Sequence, residues 1–120
     1  MLNYNMVFRV IDNPDLKKFK AQSGFKNAEF KMLAGLYSRA AGVRALYDIA
    51  VDVDFDEGLC TFTYYRSNNY VPFLQFVIRR VGPNTDMYEL YMEGKGRISK
   101  SGLFERTFKR LEEEVEALMG

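Results

Sequence analysis

The densest group of chemistry-bearing side chains is the acidic run Asp52-Val-Asp54-Phe-Asp56-Glu57-Gly58. It begins like a calcium loop, in which carboxylate ligands recur at every second residue. That loop needs glycine directly after the third acid and glutamate at the twelfth position. Here glycine arrives one place late, and the twelfth residue is Thr63. The alternation fits a strand with a solvated face just as well. A glycosidase would use two such carboxylates on opposite sides of a scissile bond, but these stand on one strand.

A second group is Gly94-Lys-Gly-Arg-Ile-Ser99-Lys100-Ser101. It falls one residue short of a phosphate-binding loop, which has glycine where Ser99 stands. What remains is a basic, glycine-rich connector. Lys95, Arg97 and Lys100 precede a helix whose free amides favour an anion, so they are candidate anion-binding residues. The chain has no histidine and one cysteine, Cys60. The commonest general base, nucleophile activator and metal ligand is thereby missing. The expectation is a non-enzymatic protein with no cofactor and no metal.

The elements that must carry these residues read as follows. Val, Ile, Phe, Tyr and Thr crowd the stretch Leu59–Glu93, the composition of a pleated surface. Turn-rich breaks at Ser67–Asn69 and Gly82–Asp86 divide it into three antiparallel strands. A preceding strand alternates Tyr47, Ile49, Val51, Val53 and Phe55 inward with Asp48, Ala50, Asp52 and Asp54 outward. Loop lengths set Phe55 opposite Cys60, Phe62 opposite Leu74, Ile78 opposite Leu90 and Arg79 opposite Glu89. These pairings give one inner face: Cys60, Phe62, Tyr64, Leu74, Phe76, Ile78, Tyr88, Leu90 and Met92.

Upstream, Leu2, Tyr4, Met6, Phe8 and Val10 alternate as a first strand. Asn13-Pro14 starts a short helix, ended by Ser23-Gly24. A second helix spans about Asn27 to Ala41 and stops at Gly42. The last helix carries Phe104, Phe108, Leu111, Val115 and Leu118 at four-three-four-three spacing, with Ser101 as its cap.

The order is β-α-α-β-β-β-β-α. It predicts one α+β domain over residues 1–120: a single-layer antiparallel sheet of about five strands with helices packed on one face. This order resembles helix-grip ligand-binding folds, which frame a sheet with early helices and a long last helix. The resemblance implies a small apolar ligand between sheet and helices, lined here by Phe30, Phe62, Tyr64 and Tyr88. Five strands are few for a deep cavity, and interiors are normally close-packed.

Charge adds little as a whole: the net value is +1. Its distribution is uneven. Residues 1–45 hold eight basic and three acidic residues, and Asp48–Glu57 holds five acids and no base. Such polarity can orient a partner or give head-to-tail self-contact. One cysteine suits a reducing compartment. The start, MLNYNMVFRVID, is unlike a signal peptide, and no apolar run reaches 18 residues. The expected location is cytoplasmic, away from membranes.

The sharpest feature is the outer sheet face, where Tyr65, Phe73, Val77, Arg79 and Tyr91 gather. It is too apolar for bare solvent, and contiguous apolar patches mark contacts. The first expectation is a binding or adaptor protein that meets a protein partner there, a homodimer in the simplest case. The second is single-stranded nucleic-acid binding, with Tyr65, Arg66, Tyr70, Phe73 and Arg79 stacking and neutralising and Lys17, Lys18 and Lys20 as a basic edge.

Overall fold

The structure, a computed structural model, describes residues 26–120. Seven elements follow one another: helix α1 (Asn27–Gly42), strands β1 (Asp48–Asp54), β2 (Leu59–Tyr65), β3 (Pro72–Gly82), β4 (Thr85–Met92) and β5 (Gly96–Ser101), and helix α2 (Phe104–Met119). The five strands form one antiparallel sheet in sequence order. The fold is therefore α+β. The expected first strand, the short helix after Asn13-Pro14 and Lys17, Lys18 and Lys20 lie outside the described residues.

Strand phase is as the alternation requires. Ile49, Cys60, Phe62, Tyr64, Leu74, Phe76, Ile78, Tyr88 and Leu90 are buried in one core with Phe30, Leu33, Leu36, Phe104, Phe108 and Leu111. Phe62 meets Phe30 of α1 edge to face at 5.4 Å, and Phe76 meets Phe104 of α2 at 5.6 Å. The Tyr64 hydroxyl donates to the Leu33 carbonyl at 2.8 Å, and the Thr107 hydroxyl donates to the Tyr88 carbonyl at 3.3 Å. Both described helices thus sit against the inner face, and the Tyr64 and Thr107 hydroxyls find partners there.

Registers differ from expectation by two residues in all three hairpins. Cys60 faces Val53 rather than Phe55, Phe62 faces Phe76 rather than Leu74, and Ile78 faces Tyr88 rather than Leu90. A shift of two keeps every side chain on its face, whereas a shift of one would have inverted them. The causes lie in the turns. The first turn falls one residue early, because Gly58 takes a φ of +62° and the Asp54 Oδ1 accepts the Glu57 N–H at 3.0 Å. A Cβ at position 58 would stand 3.0 Å from the Arg80 Cβ, so glycine is needed there. The second loop is longer than three residues, since Pro72 opens β3 and a bulge follows Tyr64. The third closes tightly, with Gly82 paired to Thr85.

Three local readings need correction. The stretch 94–102 is a strand and turn rather than a loose connector; Gly94 and Gly96, at φ +77° and +73°, make the turn that returns it to β4. Ser101 does not cap α2; Leu103 holds the cap position, and the Ser101 Oγ accepts the Leu103 N–H at 3.0 Å. Tyr47 and Phe55 are exposed rather than inward, because they lie just beyond the two ends of the edge strand β1. Among the described residues no helix is long and apolar enough to cross a membrane.

Phe76 occupies the middle of the central strand and touches α2. Phe76→Ala should lower the unfolding free energy by about 3–5 kcal/mol, the cost of a large buried cavity. Urea denaturation measures it, and a loss below about 1 kcal/mol would place this ring outside the core.

Candidate functional site

In the pleat of β3, Phe73 and Val77 alternate with Leu74, Phe76 and Ile78, yet the Phe73 ring packs with the buried core cluster, which Val77 does not join. Phe73 and Val77 are only 6% and 7% exposed. The Arg66 guanidinium lies 4.8 Å from the centre of the Phe73 ring, a cation–π distance. Little apolar area at these two positions remains for another molecule to cover.

Arg79 and Tyr91 are also turned to internal use. Both converge on Glu89, whose carboxylate is buried. Arg79 Nη2 donates to Glu89 Oε1 at 3.1 Å, and the Tyr91 hydroxyl donates to the same oxygen at 3.0 Å. Burial alone would raise the Glu89 pKa. The hydrogen bonds and the Arg79 charge outweigh it and hold this carboxyl below the ordinary range. The bond to Glu89 also pushes the Arg79 pKa up. Arg79 and Glu89 are diagonal neighbours; the backbone partner of Glu89 is Val77. Sequence reasoning paired Glu89 with Arg79 but did not expect its carboxylate to be buried. An acid in the middle of an apolar strand was the signal for it.

The basic residues do not gather at a helix terminus. Lys95 lies in the β4–β5 turn, while Arg97 and Lys100 lie on β5 opposite Tyr91 and Glu89. Arg97 Nη1 is 3.9 Å from Glu89 Oε2, at the long limit of an ion pair. These cations form a charged sheet edge, not a cradle.

The residues proposed to line an apolar ligand are the core itself. Phe30, Phe62, Tyr64 and Tyr88 are buried against one another and their neighbours. The Tyr88 hydroxyl donates to Glu29 Oε2 at 2.7 Å. The other oxygen, Oε1, is buried and accepts no hydrogen bond. Beside this pair a cleft of about 350 Å³ opens, lined by Lys26, Arg80, Asn84, Thr85, Asp86, Tyr88 and Gly102. Its lining is polar and charged, unlike an apolar ligand site. Arg80 Nε closes one side with an ion pair to Asp86 Oδ1 at 2.6 Å.

Accessible aromatic surface appears elsewhere, at one end of the sheet. Tyr47, Tyr70 and Val71 are 49%, 37% and 45% exposed, and Tyr65 is half-buried beside them. Tyr70 stands edge to face against both Tyr47, at 5.9 Å, and Tyr65, at 5.2 Å. Its backbone takes a φ of +54°, a conformation that costs free energy in a bulky residue. Asp48 holds it there. This carboxylate is almost fully buried; its Oδ2 accepts the Tyr70 hydroxyl at 3.2 Å and its Oδ1 accepts the Ile49 N–H at 2.8 Å. Burial raises the Asp48 pKa in spite of those bonds. Desolvation and the Asp48 carboxylate together push the Tyr70 hydroxyl up to about 12. Tyr47 is fixed through its backbone, where its N–H donates to the Tyr65 carbonyl at 2.7 Å and its carbonyl accepts the Tyr37 hydroxyl at 3.3 Å. Beside the tyrosines an open cleft of about 280 Å³ is lined by Arg66, Ser67, Asn69, Val71, Phe73 and Glu93.

Cys60 is fully buried, and burial pushes its thiol far up, away from reactive thiolate. Asp52 and Asp54 sit exposed on β1 and, on the same face, oppose Thr61 and Leu59. Compared with known proteins, the chain matches no family model, no curated protein and no solved structure.

The Glu29 carboxyl gives a pH test. Burial raises its pKa above the ordinary 4.5, against the opposing effects of Tyr88 and Lys26. With the folded pKa above the unfolded one, the stabilising neutral form is fully present below the unfolded value and is lost as pH rises through the folded value. Glu29→Gln keeps an acceptor for Tyr88 and cannot ionise. Its stability relative to wild type should therefore rise as pH increases from about 4 to about 7. Urea midpoints of the two proteins across that range measure the difference. A pH-independent gap would mean that Glu29 titrates normally.

Proposed function

We propose that the protein is a non-enzymatic binding module whose partner is another protein, a second copy in the simplest case. The contact we infer is the tyrosine corner formed by Tyr47, Tyr65 and Tyr70 with Val71, rather than the centre of the outer sheet face. The observation that carries this reading is the exposed, mutually packed Tyr47–Tyr70 pair.

Tyrosine offers a large contact area with little side-chain entropy to lose, and it is enriched among residues that dominate binding energy. Asp48 fixes Tyr70 before any partner arrives, so little ordering cost falls on association. The centre of the face contributes less than its composition suggested, because Phe73 and Val77 are already buried within the chain. Arg79, a candidate contact in the same reading, has its charge balanced by Glu89.

Base stacking on the same tyrosines is the second reading, and the local charge argues against it. Arg66 packs on Phe73, and the exposed Asp52 and Asp54 lie on the adjoining strand, where they would repel phosphate. A buried, unreactive thiol and the lack of histidine support a role without catalysis.

Light scattering and sedimentation test the proposal. Wild type should dimerise, and Tyr47→Ser with Val71→Ser should weaken the dimer at least about tenfold, equivalent to about 1.4 kcal/mol. Both side chains are exposed, so circular dichroism and melting should barely change. A wild type that stays monomeric would end the self-association reading. A low-salt shift of single-stranded oligonucleotide, lost in the same variant, would favour the second one.

A further inference from the structure

The two edges of the sheet carry opposite charge. β1 presents Asp52 and Asp54, both exposed, and runs into Asp56 and Glu57 in the next turn. No lysine or arginine occurs from Tyr47 to Tyr65. β5 presents Arg97 and Lys100, with Lys95 in the turn before it, and no acid occurs from Gly94 to Phe104. Among the described residues β1 pairs only with β2, and β5 pairs only with β4.

We propose that the acidic β1 edge of one copy docks beside the basic β5 edge of the next, so that the chain associates head to tail with itself. This contact is independent of the tyrosine corner. Four strand spacings of about 4.8 Å put the two edges about 19 Å apart in one molecule. That is about twice the screening length at physiological salt, so the edges do not neutralise each other internally. Local pairing offsets the exposed basic side chains only in part: Arg97 reaches Glu89 at 3.9 Å and Lys100 lies across the strand pair from it, but both share that single carboxylate with Arg79, which binds it at 3.1 Å.

Charge also selects the geometry. A two-fold contact of β1 with β1, or of β5 with β5, sets like charges side by side and is repelled. Only β1 with β5 of another copy sets unlike charges together. In an antiparallel sheet of five consecutive strands, β1 and β5 run in the same direction, so copies related by simple translation keep all helices on one side. Such a contact is heterologous; it leaves a free edge at each end and, by translation, grows into open chains. The backbone of β5 is blunted. A bulge interrupts its pairing at Ile98, whose carbonyl accepts Arg110 Nη1 at 3.4 Å. The contact therefore rests on side-chain charge rather than on a continuous hydrogen-bonded ladder.

The test uses charge reversal at each edge and sedimentation of the full chain. Wild type should show mass rising with concentration at low salt, and this rise should vanish at high salt. Asp52→Lys with Asp54→Lys makes both edges basic. Arg97→Glu with Lys100→Glu makes both edges acidic. Each of these proteins alone should lose the salt-sensitive association, and an equimolar mixture of the two should regain it. The mixture guards against misfolding, since an unfolded variant could not restore a specific contact. Tyr47→Ser with Val71→Ser should leave the salt-sensitive association intact, while any tyrosine-corner dimer should survive high salt. A wild type with the same mass at low and high salt overturns the proposal, as does undiminished association of either charge-reversed protein or a mixture that stays dissociated.

Discussion

The pleat of β3 is the constraint on which the rest of the molecule depends. Leu74, Phe76 and Ile78 point into the helices; Phe73 and Val77 alternate with them in the pleat, and Val77 lies outside the core cluster while the Phe73 ring joins it. Because β3 is the middle strand, its phase dictates the phase of β2 and β4 and, through them, of both edges. Phe62 and Tyr88 meet the helices for this reason. For the same reason Glu89, Lys100, Asp52 and Asp54 share the other face. The tyrosine corner is set where the chain turns from β2 into β3, with the loop residue Tyr70 drawn toward the start of β1.

Three buried carboxylates show how this framework handles charge. Desolvation acts on each, and local partners decide the outcome. Glu89 receives a guanidinium and a phenol, so it stays ionised and ties Arg79 and Tyr91 into the outer face. Asp48 receives one amide and one phenol; burial outweighs these, and its pKa rises. Glu29 receives the Tyr88 phenol alone, leaves one oxygen without a hydrogen bond, and is also raised. The first is an internal strut, the second pins a surface loop, and the third joins the first turn of α1 to β4. A tyrosine hydroxyl contributes in every case, which gives the phenol-rich composition a structural use apart from stacking.

The existence and phase of β1 to β4 and both described helices could be read from the residues. Alternation of apolar and polar types is a strong signal when one face is buried, and the last helix carried an uninterrupted stripe. The paired register was less legible. Gly58 and the Asp54 side chain relocate one turn, and Pro72 lengthens another, shifting partners by two residues without moving any side chain across the sheet. The strand Gly96–Ser101 was hidden because lysine, glycine and serine are poor strand formers; pairing with β4 and packing against α2 override that preference.

The amino-acid sequence determined which residues face the helices, since a period of two is a property of any pleated strand and needs no knowledge of neighbours. It also determined that one charged run is acidic and another basic. Only the tertiary structure decided that those runs lie on opposite edges of one sheet. It also decided that Phe73 and Val77 are buried while Tyr47 and Tyr70 are accessible, and that Asp48 holds Tyr70 in place across 22 residues. Exposure and long-range hydrogen bonding depend on what lies beside and above a residue, and neither can be read from the order of residues along the chain.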